Sequence, residues 1–295
     1  MQKRCVAVIL IFCLAVVHKT YCQVVANPQI VHFTSAHTSF PDETRANGHL
    51  YDSVLYTTAE HYMDSTVMLI IPPGLNPGKK VDLVFWFHGW RNSVDTATVF
   101  YGLARQFVAS NRNAILVLAE TAKNAPDSYG GKLEKQGMFK QLVADVIAQL
   151  KKQHAIPAKA KEGNIVLAGH SGAYRVIANI LKNGNEPVQE VFLFDALYAE
   201  VDKFMEWVQA DKKHHFVHWF TNHGGGTDEM SDTMMKQLGS QYINYSLVEE
   251  AAVLPGTVKT ARVLFVHSLR EHNVIIYNPD DFELLLENSH CLRKK

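Results

Sequence analysis

Cysteine is scarce in this sequence, which has four in 295 residues. Cys5 and Cys13 fall in an apolar N-terminal run, and this leaves Cys22 and Cys291 at the two ends of the remaining chain. These two could form one disulfide at most, and cleavage of the chain after Cys22 would leave none. A disulfide-stabilised scaffold is therefore excluded. The fold must depend on its apolar core, for which a hydrophobic content of 47% is sufficient.

An excess of either charge is also missing, because Lys plus Arg and Asp plus Glu both number 29. Binding to nucleic acid or to an anionic membrane needs a basic surface, which this balance does not indicate. We therefore expect no nucleic-acid partner and instead a small-molecule or acylated substrate. The sequence leaves the oligomeric state open.

Hydrophobic runs long enough to span a bilayer are absent too. The longest, residues 5–17, follows Lys3 and Arg4 and ends at His18, short of the roughly 20 residues that a spanning helix needs. A basic start followed by a short apolar run is typical of a secretory signal peptide. We expect a signal peptide at 1–22 and a secreted or periplasmic product without stable membrane insertion, the alternative being an uncleaved anchor.

The rest of the chain, residues 23–295, has no internal repeat and no low-complexity linker, so a single domain is expected. Short apolar runs alternate with segments of helical spacing, the clearest of which begins at Met138 and ends near Leu150. This alternation predicts a mainly parallel sheet with helices on both faces and a ligand site beyond the carboxyl ends of its strands. The predicted strands are 67–71, 83–87, 114–118, 165–168, 191–194, 216–220 and 263–266.

One segment combines a strand, a tight turn and a helix. An apolar run ends at Gly169-His170-Ser171-Gly172-Ala173, and apolar residues at helical spacing follow as far as Gly184. This arrangement resembles the nucleophile elbow of the α/β-hydrolase superfamily, with Ala173 where the commonest pattern has glycine. The resemblance implies an α/β-hydrolase fold with a mainly parallel central sheet and Ser171 as nucleophile. The alternative is a chance Gly-x-Ser in a strand-to-helix turn.

The same resemblance implies an oxyanion hole, a pair of backbone N–H groups that stabilise a negative oxygen. The residue after the nucleophile, Gly172, is one expected donor. The other should follow an early strand, where His88-Gly89-Trp90 resembles the family's His-Gly element and makes Trp90 the expected donor. Trp90 could instead pack in the core.

The family order of nucleophile, acid and histidine places the base after the last strand. Both His267 and His272 fit that order, and His272 is preferred because it lies farther out on the loop. For the acid, Asp195 and Asp228 both fit. Asp195 is preferred because it directly follows an apolar strand, where a carboxylate would be costly to bury unpaired. The resemblance also allows an acid at this earlier strand, as in enzymes resembling pancreatic lipase. Asp228 lies in a polar run that resembles a helix start.

The segment between Asp195 and the next strand has room for one helix, at 200–210, so no large lid domain is expected. Four aromatic residues could line an open site or pack in the core: Tyr174, Tyr198, Phe204 and Trp207. The favoured substrate is a medium or bulky ester, and an amide is the alternative.

Two other functional interpretations compete with a serine hydrolase. One is a non-catalytic binding protein on the same fold. The other is a metal-dependent hydrolase using His214 and His218, but neighbouring His215 and His223 do not share their face of the strand. We therefore expect no metal and no cofactor.

Overall fold

The protein is described from a computed structural model that covers residues 27–223 and 225–295, so the predicted signal peptide at 1–22 lies outside the described residues. The strands are β1 (Gln29–Thr34), β2 (His49–Tyr51), β3 (Val54–Tyr56), β4 (Thr66–Ile71), β5 (Lys80–Phe87), β6 (Ala114–Ala119), β7 (Lys161–His170), β8 (Glu190–Phe194), β9 (His215–Thr221), β10 (Ser246–Glu249) and β11 (Val263–Ser268). The α-helices are α1 (Thr58–His61), α2 (Val94–Phe100), α3 (Leu103–Ala109), α4 (Met138–Lys152), α5 (Tyr174–Asn183), α6 (Val201–Ala210), α7 (Thr227–Ser240), α8 (Pro255–Thr260) and α9 (Asp281–Glu287).

Nine of the described strands form one sheet in the order β1-β4-β6-β5-β7-β8-β9-β11-β10. Pairings from β6 through to β10 are parallel, whereas β1 and β4 add an antiparallel edge. The mainly parallel sheet predicted from the alternating apolar runs is therefore confirmed, and each of the seven predicted strands is present. The missed strands are β1, β2, β3 and β10, which are exposed or half-buried and lack a continuous apolar run.

Each face of the sheet has its own apolar core. Along β5, Leu83, Phe85 and Phe87 pack on one side with α4, α5 and α6. The intervening Val84 and Trp86 pack on the other side with α2, α3 and α9. Because successive strand residues point to opposite faces, a strand covered on both sides has to be apolar throughout. Helices thus lie on both faces of the sheet, as predicted.

The connection from the carboxyl end of β8 to α6 is short, at residues 195–200. In the described chain α6 is the helix that connects β8 to β9, and the predicted absence of a large lid agrees with this connection. A small hairpin of β2 and β3 forms a separate two-stranded sheet. Within the described ranges, none of the helices has the length and apolar character that a bilayer crossing requires.

Candidate active site

Ser171 lies at the carboxyl end of β7, where the chain turns into a short 3-10 turn and then α5. Its φ angle is 54°, in the left-handed region that non-glycine residues rarely occupy. A Cβ on Gly169 would lie 2.6 Å from the Cβ of Ala173, so only glycine is accommodated there while a methyl group is accepted at 173. The turn therefore has the strained strand-to-helix geometry expected of a nucleophile elbow.

The loop after β5 approaches Ser171 closely at Gly89. A Cβ at position 89 would lie 2.6 Å from the Ser171 Cβ and 3.2 Å from its hydroxyl oxygen. Real Cβ atoms do not approach so closely, so any side chain at 89 would displace Ser171 or the loop. The absence of a side chain here lets the backbone of the His88-Gly89-Trp90 element reach the serine.

His272 and Asp195 are hydrogen-bonded although 77 residues separate them in the chain. The distance from His272 Nδ1 to Asp195 Oδ2 is 2.6 Å. Because a carboxylate can only accept, Nδ1 carries the proton, and Nε2 of the neutral ring is left as an acceptor. The His272 side chain is 24% exposed, whereas that of Asp195 is fully buried.

Asp195 follows β8 and is held by the end of β9 and the start of α7. The backbone N–H of Thr221 and the hydroxyls of Thr221 and Thr227 all donate to its carboxylate. Burial raises the pKa of Asp195, but the hydrogen bonds from His272, Thr227 and Thr221 outweigh it and bring the pKa to about 2. The carboxylate is thus ionised at neutral pH. The two threonines were not anticipated, because single hydroxyl residues at strand and helix ends carry no distinctive sequence signal.

A cavity of about 420 Å³ opens above the elbow. It is lined by Trp90, Ser128, Ser171, Gly172, Tyr174, Tyr198, His223 and His272. Ser171 and His272 thus face the same space, but no hydrogen bond joins the two side chains among the described residues. In sites without substrate such bonds are often long and tighten on binding. Phe204 and Trp207, which could have lined the site, are instead buried in the core on one face of the sheet.

Tyr198 lies beside both Ser171 and His272. Burial and the nearby Asp195 carboxylate raise the pKa of the Tyr198 hydroxyl, whereas the Ser171 hydroxyl acts to lower it. The Tyr198 ring also lies edge-on to the His272 ring, with centroids 6.4 Å apart. Tyr198 therefore forms one wall of the space between the serine and the histidine.

His170 precedes Ser171 and packs against His272, with ring centroids 4.4 Å apart. Burial, reinforced by the neighbouring His272, lowers the pKa of His170 to about 3, so its ring is neutral. Its Nε2 lies 3.0 Å from the His272 carbonyl oxygen and must donate to it, so Nδ1 accepts from the Tyr101 hydroxyl at 3.1 Å. His170 thereby fixes both the backbone and the ring face of His272.

The two predicted oxyanion donors lie beside the nucleophile. Gly172 is in the first turn after Ser171, where backbone N–H groups have no partner within the helix. In the described chain no group accepts a hydrogen bond from the backbone N–H of Trp90. The Trp90 indole is 41% exposed and donates to the Ser128 hydroxyl at 2.7 Å, so it is not a core residue.

A buried ion pair fixes the loop that carries Trp90. His88 Nε2 lies 2.5 Å from Glu120 Oε1, and both side chains are almost completely buried. Burial lowers the pKa of His88, but the Glu120 carboxylate more than reverses this and raises it overall. Glu120 also accepts the backbone N–H of Val94, where α2 begins. The ion pair joins β5, β6 and α2 directly behind the loop.

The alternative acid and base lie elsewhere. Asp228 is in the first turn of α7, and the carboxylate on His272 belongs to Asp195 instead. His267 is near the end of β11 and bonds to Glu249 and Asn222.

The two histidines of the metal alternative do not converge. His214 stacks on Trp207, whereas His218 is buried and bonds to Ser231. Within the described residues, groups with the spacing of metal ligands occur at Glu190, His215 and His290. The two imidazole rings of that cluster are stacked at 3.8 Å with planes 5° apart. In this orientation one ion cannot lie in the plane of both rings, which imidazole coordination requires.

No protein-family model matches the sequence, and a search of curated proteins finds no significant relative. Solved structures do match, however. A ferulic acid esterase aligns with a TM-score of 0.55 at 10% identity over 88% of this chain and 99% of its own.

Two further solved structures are similar. The Staphylococcus aureus fluorophosphonate-binding serine hydrolase F has a TM-score of 0.52 at 10% identity, over 90% of this chain and 100% of its own. The feruloyl esterase module from Clostridium thermocellum, complexed with sinapinate, has a TM-score of 0.51 at 13% identity, over 91% and 90%. Identities this low establish similarity of fold alone. The resemblance first seen at residues 169–173 is confirmed at the level of architecture, and the chain has the α/β-hydrolase fold.

Proposed function

We propose that this protein hydrolyses carboxylic esters through an acyl-enzyme on Ser171, with His272 as general base and Asp195 as the acid that orients it. The observation that carries the proposal is the shared cavity. It brings a serine on a strained elbow together with a histidine whose other nitrogen is bonded to a buried carboxylate. A serine hydroxyl is a weak nucleophile unless a base accepts its proton, and this arrangement supplies that base.

In the proposed reaction the Ser171 oxygen attacks the ester carbonyl carbon while His272 Nε2 accepts the serine proton. Asp195 stabilises the imidazolium that forms and keeps the required tautomer. The backbone N–H groups of Gly172 and Trp90 donate to the developing oxyanion. His272 then protonates the departing alcohol and activates a water molecule, which releases the acid and restores Ser171.

The cavity wall favours an acyl group of medium size with an aromatic or other flat apolar portion. Trp90, Tyr174 and Tyr198 present rings to the space, and the Ser128 hydroxyl adds a polar point. Rings of this kind stack with or pack edge-on to an aromatic substrate. Esters of aromatic acids are therefore the first substrates to test. An amide with the same acyl group is the alternative.

We further propose that residues 1–22 direct secretion and that residues 23–295 form the mature single domain. A basic start and a short apolar run support this. N-terminal sequencing of protein recovered from the medium of expressing cells tests it. An intact residue 1 in that protein, or retention of all the protein in the cell membrane, would contradict it.

Covalent labelling is the most direct test of the proposed chemistry. A fluorophosphonate probe reacts only with an activated serine, so one adduct should form on the intact protein and peptide mapping should locate it at Ser171. Ser171→Ala should not be labelled, and Ser289→Ala, which changes a remote hydroxyl, should be labelled as the parent is. An unlabelled parent would leave a non-catalytic binding protein as the better interpretation.

A further inference from the structure

The β2–β3 hairpin exposes an unusual amount of apolar surface. Leu50, Val54 and Leu55 are 68%, 53% and 56% exposed, and Tyr51 is 36% exposed. Scattered exposed apolar side chains are ordinary, but four large ones within six residues form a patch. The hairpin is small and lies outside the main sheet, so this patch is not required to build the core.

Strand register assigns these side chains to two faces. Leu50 pairs with Leu55, and Tyr51 pairs with Val54. Directly paired residues share a face, so one face carries the two leucines and the other carries Tyr51 and Val54. The Tyr51 ring packs edge-on against the Trp90 ring, with centroids 5.2 Å apart. The leucine face therefore points away from Trp90.

The opposite face of the hairpin, which carries Tyr51, continues through Trp90 into the candidate active site. Trp90 lines the cavity that contains Ser171 and is itself 41% exposed. The hairpin also has little charge, because Asp52 is the single charged residue among residues 48–57. An uncharged apolar surface that adjoins an ester cavity suits a partner that is apolar, uncharged and itself the source of the ester.

We propose that the leucine face of the β2–β3 hairpin docks on a neutral lipid–water surface, from which ester substrates enter the cavity past Trp90. Electrostatic attraction to anionic lipid has no part in this docking, because residues 48–57 contain no lysine and no arginine. The supply of substrate rests on the proposed esterase function. The docking itself does not, and can be measured without catalysis.

Flotation with vesicles tests the docking. The full mature chain carrying Ser171→Ala should float with phosphatidylcholine vesicles, and adding Leu50→Ser and Leu55→Ser should reduce the bound fraction about tenfold. Leu247→Ser with Leu254→Ser is the matched control, since these leucines are 51% and 65% exposed near the β10 edge of the sheet. The control should float as the parent does. Because all four leucines are exposed, thermal unfolding should verify that each variant is folded.

Three outcomes would overturn the proposal: no flotation of the parent, equal loss in the control, or binding restricted to vesicles that contain phosphatidylserine.

A second measurement separates docking from catalysis. In the protein that retains Ser171, the Leu50→Ser and Leu55→Ser substitutions together should lower one ratio about tenfold. This is the rate of hydrolysis of tributyrin emulsion divided by the rate of hydrolysis of soluble p-nitrophenyl acetate. Failure of every protein to hydrolyse either ester would reject the esterase function, while the flotation result would still decide the docking.

Discussion

A histidine bonded to a buried carboxylate lies at each end of the neighbouring strands β8 and β9. Beyond the carboxyl ends, Asp195 holds His272 at 2.6 Å. At the amino ends, Glu190 holds His215 at 3.1 Å. Both carboxylates are completely buried, and hydrogen bonds lower the pKa of each in spite of the opposing effect of burial. The two pairs therefore have the same local chemistry.

Their surroundings differ. His272 is partly exposed in a cavity that also contains Ser171, whereas Nε2 of His215 is buried and has no partner among the described residues. The C-terminal segment closes the amino-end pair, where Ser289 and the backbone N–H of His290 donate to Glu190. In the proposed mechanism a histidine–carboxylate pair can act only where its second nitrogen faces a cavity and a nucleophile, and only the His272–Asp195 pair meets that requirement. The amino-end pair is a natural internal control.

The largest expected difference in kcat between the two ends is the one between the Ser171 and Ser289 variants. Ser171→Ala should lower kcat for p-nitrophenyl acetate by about 10⁴-fold or more, because the nucleophile is removed. Ser289→Ala removes the hydroxyl that donates to Glu190, so it should leave kcat unchanged and lower the free energy of unfolding by about 1 kcal/mol. Steady-state kinetics and urea unfolding of both variants provide the measurement. Comparable kcat losses in both would remove the distinction between the two ends.

The carboxylates should give the next largest difference. Asp195→Asn should lower kcat by about 10³- to 10⁴-fold, because an amide cannot stabilise the imidazolium and favours the wrong tautomer. Glu190→Gln should retain the parent kcat but lose roughly 1–3 kcal/mol of stability, since buried donors lose their charged acceptor. Kinetics at saturating ester together with urea unfolding separate these effects. A catalytic defect in Glu190→Gln would show that the amino-end pair acts on the site.

A third comparison concerns the stacked histidines, because His170 lies on His272 and His290 lies on His215. His170→Ala should lower kcat about 10- to 100-fold with a smaller change in KM, since the base loses its positioning contacts. His170→Gln keeps a donor for the His272 carbonyl and should recover part of that loss. His290→Ala should not change kcat. If kcat of the His170 variants simply followed their melting temperatures, the role of His170 would be structural.

The smallest effect is a pH dependence of stability. The folded-state pKa of Asp195, about 2, lies below the ordinary value of 3.8, so the folded state favours the ionised form. This contribution, about 2 kcal/mol, is complete above about pH 4 and is lost as the pH falls towards 2. The stability difference between parent and Asp195→Asn, from urea unfolding between pH 6 and 2, should shrink accordingly. A constant difference would show that the carboxylate is not stabilised by its partners. The pKa of Glu190 is also lowered in the folded state, so the stability difference between the parent and Glu190→Gln should likewise shrink as the pH falls.

The parts of the fold that sequence predicted are those buried on both faces. β5 to β9 read as continuous apolar runs because each is covered by helices on either side, and that pattern is visible without a structure. β1 and β10 at the sheet edges, and the β2–β3 hairpin, are partly exposed. Their mixed sequences resemble loops, so pattern alone could not identify them.

At the candidate site, the residues that could be predicted are those that a sequence pattern marks, and the residues that support them have no such pattern. Ser171 is set by a local strand–turn–helix pattern, and Asp195 and His272 by their positions after strands. The supporting groups, Thr221, Thr227 and Tyr101, depend on contacts between distant segments. Their side chains are ordinary in kind and spacing, so only the folded arrangement reveals them.

Gly89 leaves no room for a side chain next to Ser171, and this has an evolutionary consequence. Every glycine codon becomes an alanine codon through a single base exchange. One such exchange at position 89 would displace the side chain of the proposed nucleophile, Ser171, and leave the His272–Asp195 pair and the cavity walls in place. A single mutation at Gly89 should therefore suffice to turn the proposed ester-cleaving site into one that only binds the same ligand.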